Sequence, residues 1–261
     1  MGILTHRYEA FFDCSPDDIC DPTPATVVAG YVASVEQWTS WECDWRLVLA
    51  AFDVPYFHMR EFNGFQGAFL SSKWKSALYR AEFVSRLAKI TTHWTIGSFA
   101  GRMEQRIYED ANQLCEVDRF FNPYAACGRD CAVRVRDFVR NEFGSGVPID
   151  FIFERGDQGV GMLASLMQKS ELPQPILKRP RFAENKQLNI DDPPALPLQA
   201  ADLLAWELRR GVKDTANKKR LRKSLKSLQS ARNISWKECT YEDVATLIHS
   251  LYIPRRAKTA V

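Results

Sequence analysis

The first patterned stretch of the chain is Tyr8-Glu9-Ala10-Phe11-Phe12-Asp13-Cys14-Ser15, a nearly unbroken apolar run that ends on an acid and breaks at Pro16-Asp17-Asp18. A short apolar run closed by a turn signal is the pattern of a central strand covered on both faces. Alternation puts Ala10 and Phe12 on one face and Phe11 and Asp13 on the other, so Asp13 stands where the strand leaves the core. After an acidic loop to Pro24, residues 26–33 are β-branched and aromatic and predict a second strand antiparallel to the first. Ser34 with Gln37 is a capping-box pattern. Trp38, Trp41, Trp45, Val48 and Phe52 follow at helical spacing, predicting an amphipathic helix over 35–53 with an aromatic stripe. Pro55-Tyr56-Phe57-His58-Met59-Arg60-Glu61-Phe62 reads as a third strand, with Gly64 and Gly67 in the loop after it. Ser71 or Ser72 would cap the next helix, which turns Trp74, Leu78, Ala81, Val84 and Leu87 or Ala88 to one side.

Residues 93–101 give a weaker fourth strand, and a short helix over 104–114 leads to Asn122-Pro123. An N-cap residue before a proline at the first helical position starts a longer helix there, ending at Phe143-Gly144 with Tyr124, Cys127, Cys131, Val135, Phe138 and Val139 inward. Residues 147–154 form a second strongly apolar strand that also ends on an acid, Glu154. A helix follows over 161–170, then an irregular or short-strand stretch over 173–192 carrying Lys178, Arg179 and Arg181, closed by Pro193-Pro194. Pro197 opens a helix that is almost uniformly apolar except for Gln199, Asp202 and Glu207. Thr240 with Asp243 caps a terminal helix through Ile253. The expected fold is α/β: a mixed five-stranded sheet, strands near 8–14, 26–34, 55–62, 94–100 and 147–154, with helices on both faces. One domain over 1–211 is expected to carry a basic helical extension, 212–261, packed on it.

Composition changes this picture little. The chain has 261 residues, 46% hydrophobic and 26% charged, enough for a large core. Its apolar runs fall far short of the roughly 20 residues of a membrane span, and Met1–Arg7 has no signal-peptide core, so no membrane is expected and the cytoplasm is. Seven cysteines and four scattered histidines match no zinc spacing, which points to reduced, mostly buried thiols.

Charge is more informative than its net of +3. Acids dominate residues 8–61, whereas 209–232 is basic with Asp214 as its sole acid. Lys218, Lys219, Arg220, Arg222 and Lys223 are candidate phosphate contacts, and nucleic acid is the commonest partner for such a stripe. The alternative is a solvated helix face, because Leu221, Leu225 and Leu228 recur at helical spacing and can dock the segment.

Asp13, Glu154 and Asp202 are acids on two core strands and one apolar helix. Asp13 alone can be read as the cap of the turn that follows. Three carboxylates in one spot repel each other unless a divalent cation offsets them, and hard oxygen ligands take Mg²⁺ or Mn²⁺. Such ions orient and activate water for attack on a phosphodiester. His58 is either a proton shuttle or substrate contact, or a histidine hydrogen-bonded under the following loop. Glu61 would be a further ligand if the third strand borders the first.

Four pieces of the chain, in order, resemble an uncharacterised bacterial family, domain of unknown function 3800. They are Phe12-Asp13-Cys14-Ser15 against Asp-Glu-Ser on a first strand, Gly30-Tyr31 on a second, His58 on a third, and Leu198-Gln199-Ala200-Ala201-Asp202 against Leu-Gln-x-Ala-Asp on a late helix. That family resembles the ribonuclease H-like fold, in which acids on the first strand and last helix meet at a metal site. The resemblance covers about residues 8–211 and carries Asp13 and Asp202 over. Cys14 replaces the family's glutamate and has no useful affinity for Mg²⁺. In the ribonuclease H order a middle acid ends the fourth strand. The expected fourth strand here, with Gly97-Ser98-Phe99-Ala100-Gly101, has none, and Glu154 ends the fifth. The resemblance implies a Mg²⁺- or Mn²⁺-dependent nuclease or phosphodiesterase using Asp13, Glu154 and Asp202. The alternative is a catalytically degenerate protein of that fold that binds nucleic acid or a protein partner, with a homo-oligomer left open.

Overall fold

The apolar run at the start of the chain is β1, Tyr8–Ser15, in a computed structural model that describes residues 6–15, 24–179, 195–220, 222–228 and 234–252. β2, Ala25–Ser34, returns antiparallel, with Phe12 opposite Gly30 and Asp13 opposite Ala29. β3, Gly97–Glu104, is antiparallel to β2. On the other side of β1, β4, Ile149–Glu154, runs parallel to it, and β5, Ile176–Lys178, runs parallel to β4. β6, Ile234–Glu238, adds to the free edge of β3. Among the described residues this is a mixed six-stranded sheet, order β5-β4-β1-β2-β3-β6. Gly30 is forced by close approach: a Cβ there would lie 1.9 Å from the Phe11 carbonyl oxygen.

Period two in β1 sends alternate residues to two separate cores. Phe11 joins Val27, Tyr31 and Ile152 under α1 (Val35–Ala51), α2 (Met59–Gly64), α3 (Ala77–Trp94), α7 (Pro197–Ala216) and α8 (Lys223–Leu228). Ala10 and Phe12 join Val28, Phe151 and Phe153 under α4 (Gln105–Cys115), α5 (Pro123–Phe143), α6 (Val160–Lys169) and α9 (Tyr241–Tyr252). Local signals set several helix starts. Ser34 Oγ accepts the Gln37 amide at 3.2 Å and Gln37 Oε1 accepts the Ser34 amide at 2.9 Å. Asn122 Oδ1 accepts the Ala125 amide at 2.8 Å ahead of Pro123. Thr240 and Asp243 cap α9 reciprocally. Trp41 and Trp45 stack at 4.4 Å, both fully buried.

The strand expected at 55–62 does not form: residues 55–58 are irregular and 59–64 are α2. Two amides that a ladder would have used donate instead to α7, Phe57 to Gln199 Oε1 at 2.9 Å and Met59 to Asp202 Oδ2 at 2.7 Å. Phe57, Met59 and Phe62 are buried in the aromatic core, and a bulky apolar run has the same composition whether it fills a core or pairs as a strand. β3 lies three residues later than the expected 94–100, because α3 continues to Trp94 and the Thr95 amide still donates to Thr91 O at 3.0 Å. That helix is capped by Ser76, not Ser71 or Ser72. Trp74 is buried in a preceding 3-10 turn, and Leu78 faces solvent.

The sheet has six strands and not five because the short-strand stretch pairs as β5 and the C-terminal segment, expected to be helical, supplies β6. Buried Arg102 of β3 holds it, pairing with Glu238 at 2.9 Å and Glu104 at 3.0 Å. α7 itself runs unbroken through residue 211 to Ala216. The acidic loop 16–23, Arg181, Pro193-Pro194, Leu221 and Ile253 lie outside the described residues. Among the described residues no helix is long and apolar enough to cross a membrane, and Cys43, Cys127, Cys131 and Cys239 are free thiols.

Candidate functional site

β1 and β4 end side by side. Their parallel pairing runs to Phe12 with Phe153, so Asp13 and Glu154 come next on adjacent strands, about 5 Å apart across the ladder. Both follow the face of Phe11 and Ile152, on which α7 packs. The Glu154 carboxyl lies close enough to raise the proton affinity of Asp13.

α7 brings the third acid. Fully buried Gln199 accepts from Trp45 Nε1 at 3.0 Å as well as from the Phe57 amide, tying α1, the 55–58 stretch and α7 together. One turn on, Asp202 accepts the Met59 amide through Oδ2. Asp13, Glu154 and Asp202 thus line one cavity of about 800 Å³ at the end of the sheet.

The electrostatics follow from crowding acids where water is scarce. Burial pushes Asp13 well above the ordinary carboxylate range, and the charges of Asp202 and Glu154 push it further. Asp202 is pushed up to about 6, by burial first and by Glu154 and Glu61 besides, although the Met59 amide and His58 favour its ion. Asp157, in the loop after β4, is pushed up to about 7 by burial and then by Glu154. Among the described residues Asp157 Oδ2 is buried with no hydrogen-bond partner, as is the phenol oxygen of Tyr124 on α5. Burial, with Asp157 nearby, also raises that phenol.

His58 lines the cavity and is held from behind, its Nδ1 3.3 Å from Glu61 Oε1. Glu61 Oε2 accepts from Tyr56 Oη at 2.7 Å, and Gly67, at φ +51°, leaves room where a Cβ would lie 2.1 Å from that oxygen. With no third strand beside β1, Glu61 is turned toward Tyr56 and His58 as their positioning partner. Cys14 packs against the α5-side core, the face opposite Asp13, and its edge borders the cavity.

The basic segment divides. Arg222 pairs with Asp214 at 3.5 Å and Glu207 at 3.6 Å, and its guanidinium lies 4.7 Å from the centre of the Trp206 ring. Leu225 and Leu228 are buried, so α8 docks on the body. Lys218, Lys219, Arg220 and Lys223 are exposed. Sequence reading passed over other residues that line the cavity: Asp157, Arg60, Arg155, Trp206 and Arg209. A signal existed for three. Asp157 follows Glu154 by three positions, and Trp206 and Arg209 follow Asp202 by four and seven, the spacing of one helix face.

Among the described residues no group of three or more His, Cys, Asp or Glu side chains is arranged to hold a metal ion. The chain matches no protein-family model, no curated protein and no solved structure.

Proposed function

We propose that this chain is a metal-dependent nuclease or phosphodiesterase acting on nucleic acid, with Asp13, Glu154 and Asp202 at its centre. The observation that carries the reading is the convergence of these acids from β1, β4 and α7 in a cavity that Arg60, Arg155 and Arg209 also line. Carboxylates whose proton affinity is raised by burial and mutual repulsion gain most from a cation, and arginines beside them suit a phosphate. Strand order supports a ribonuclease H-like reading. With residues 55–62 outside the sheet, 149–154 becomes the fourth strand, and Glu154 ends it, where the resemblance implies a middle acid.

The donor set is all carboxylate oxygen, the type that Mg²⁺ and Mn²⁺ take, and the orphaned Asp157 Oδ2 adds a donor to it. When bound, the ion supplies charge to orient and activate water against the phosphodiester. The chain must first reorganise, because Asp202 Oδ2 is committed to Met59 and, among the described residues, the acids are not yet gathered around one point. Glu154, with three rotatable side-chain bonds, has the reach to do so. His58, backed by Glu61, is placed to hold or move a proton at the cavity wall, and the arginines neutralise the phosphate. A non-catalytic role in binding nucleic acid or a protein is the second reading. The Asp202–Met59 bond favours it, since it gives that acid a structural use.

The test is a nuclease panel on single- and double-stranded DNA and RNA in Mg²⁺, Mn²⁺ and EDTA. Wild type should cleave only with metal, and Asp13→Asn, which keeps the shape of the acid and removes its charge, should lose orders of magnitude of rate while staying folded. Undiminished cleavage by Asp13→Asn would sink the assignment.

A further inference from the structure

From Pro197 to Arg209, α7 is buried everywhere except Asp202, Trp206 and Arg209. Those three residues all line the same cavity as Asp13 and Glu154. Helix geometry places Trp206 about 6 Å and Arg209 about 10 Å beyond Asp202 along the axis, within about 40° of it around the helix. Acid, aromatic ring and cation therefore follow one another at successive turns along a single open stripe. Trp206 packs partly against the α7-side core, and the rest of its indole forms part of the cavity wall. Its ring is paired with the Arg222 guanidinium at 4.7 Å, and a planar π surface of this kind is what an unstacked base packs against.

We infer that Trp206 and Arg209 form a nucleotide subsite next to the acids, and that the nucleic acid enters as a single strand. This rests on the phosphodiesterase reading and narrows its substrate. A base packs against the Trp206–Arg222 stack, and the phosphate flanking it meets Arg209, while the next phosphate along the strand reaches the carboxylates. A duplex cannot make this contact, because its base faces are covered by their neighbours and reach a side chain only when flipped out. Stacking tolerates any base, so the subsite selects strandedness and not sequence.

Binding measured in EDTA separates this subsite from catalysis. Fluorescence anisotropy of a short labelled oligothymidine, and of a labelled duplex of equal length, would be followed with wild type, Trp206→Leu, Trp206→Phe and Arg209→Gln at several salt concentrations. Trp206→Leu should weaken single-strand binding roughly 5- to 150-fold and leave duplex binding unchanged, whereas Trp206→Phe, which keeps an aromatic face, should retain most of it. Arg209→Gln should flatten the single-strand log-affinity against log-salt slope by about 0.7, one phosphate contact. The subsite alone is overturned if Trp206→Leu binds oligothymidine like wild type, loses duplex binding equally, or is no worse than Trp206→Phe. Wild type that binds neither oligonucleotide overturns the nucleic-acid reading with it.

Discussion

Asp202→Asn separates a functional carboxylate from a structural one, because the two uses change stability in opposite directions. A carboxyl held at about 6 in the fold against 3.8 otherwise weakens the folded state by up to about 3 kcal/mol at neutral pH, at about 1.4 kcal/mol for each pH unit between the two values. The sign follows from the raised value. Asp202 is neutral and fully tolerated below about pH 4, and its contribution is lost as pH rises through about 6. Asparagine keeps an oxygen to accept the Met59 amide and has no charge to desolvate or to set against Glu154 and Glu61. Urea unfolding in EDTA should therefore show the variant equal to wild type near pH 4 and more stable by about 1–3 kcal/mol at pH 7.5. Metal should offset this difference. An ion at one hundred times its dissociation constant adds about 2.7 kcal/mol to a fold that binds it, and the variant should lose that gain. If Asp202→Asn is less stable than wild type at pH 7.5 in EDTA, the ionised carboxylate is a structural acceptor for Met59 and the catalytic assignment of Asp202 fails.

Two further predictions concern the basic segment and the central strand pair. Replacing exposed Lys218, Lys219, Arg220 and Lys223 with Gln should flatten the log-affinity against log-salt slope on duplex DNA by about 0.9 for each phosphate that these cations neutralise. Arg222→Gln, whose ion pairs to Glu207 and Asp214 pin α8, should instead speed amide exchange in 223–228, and a slope change from it comparable to the other four would contradict that division. Gly30→Ala drives a Cβ to 1.9 Å from the Phe11 carbonyl oxygen, so denaturant unfolding should show a loss of about 3 kcal/mol or more. A variant within 1 kcal/mol of wild type, on the order of an ordinary surface change, would mean the β1–β2 pairing yields easily.

Residue spacing alone carried the parts of the molecule whose causes are local. The capping box at Ser34 and Gln37, the Asn122-Pro123 start and the Thr240–Asp243 cap are each decided within four residues, and all three helices begin there. Period two in β1 likewise determined that Asp13 faces the side of Phe11, since a one-residue slip would put every side chain of the strand on the wrong core. Residues 55–62 were misread because their amides are satisfied by Gln199 and Asp202, which lie far along the chain, and no local pattern records such a bond. β6 was missed for a related reason: a five-residue, half-exposed strand is stabilised by the edge it joins and by Arg102, not by its own composition. The candidate site belongs wholly to this second class. Each acid is visible as an odd residue in or at the end of an apolar run, but the juxtaposition of Asp13 and Glu154, the stripe that α7 opens toward them, and the raised proton affinity that results exist only once β4 lies parallel beside β1 and α7 packs across β1 and β2. Hydrophobic burial of strands and helices separated by more than a hundred residues sets those positions, and desolvation and charge repulsion then act on whatever polar groups it has brought together.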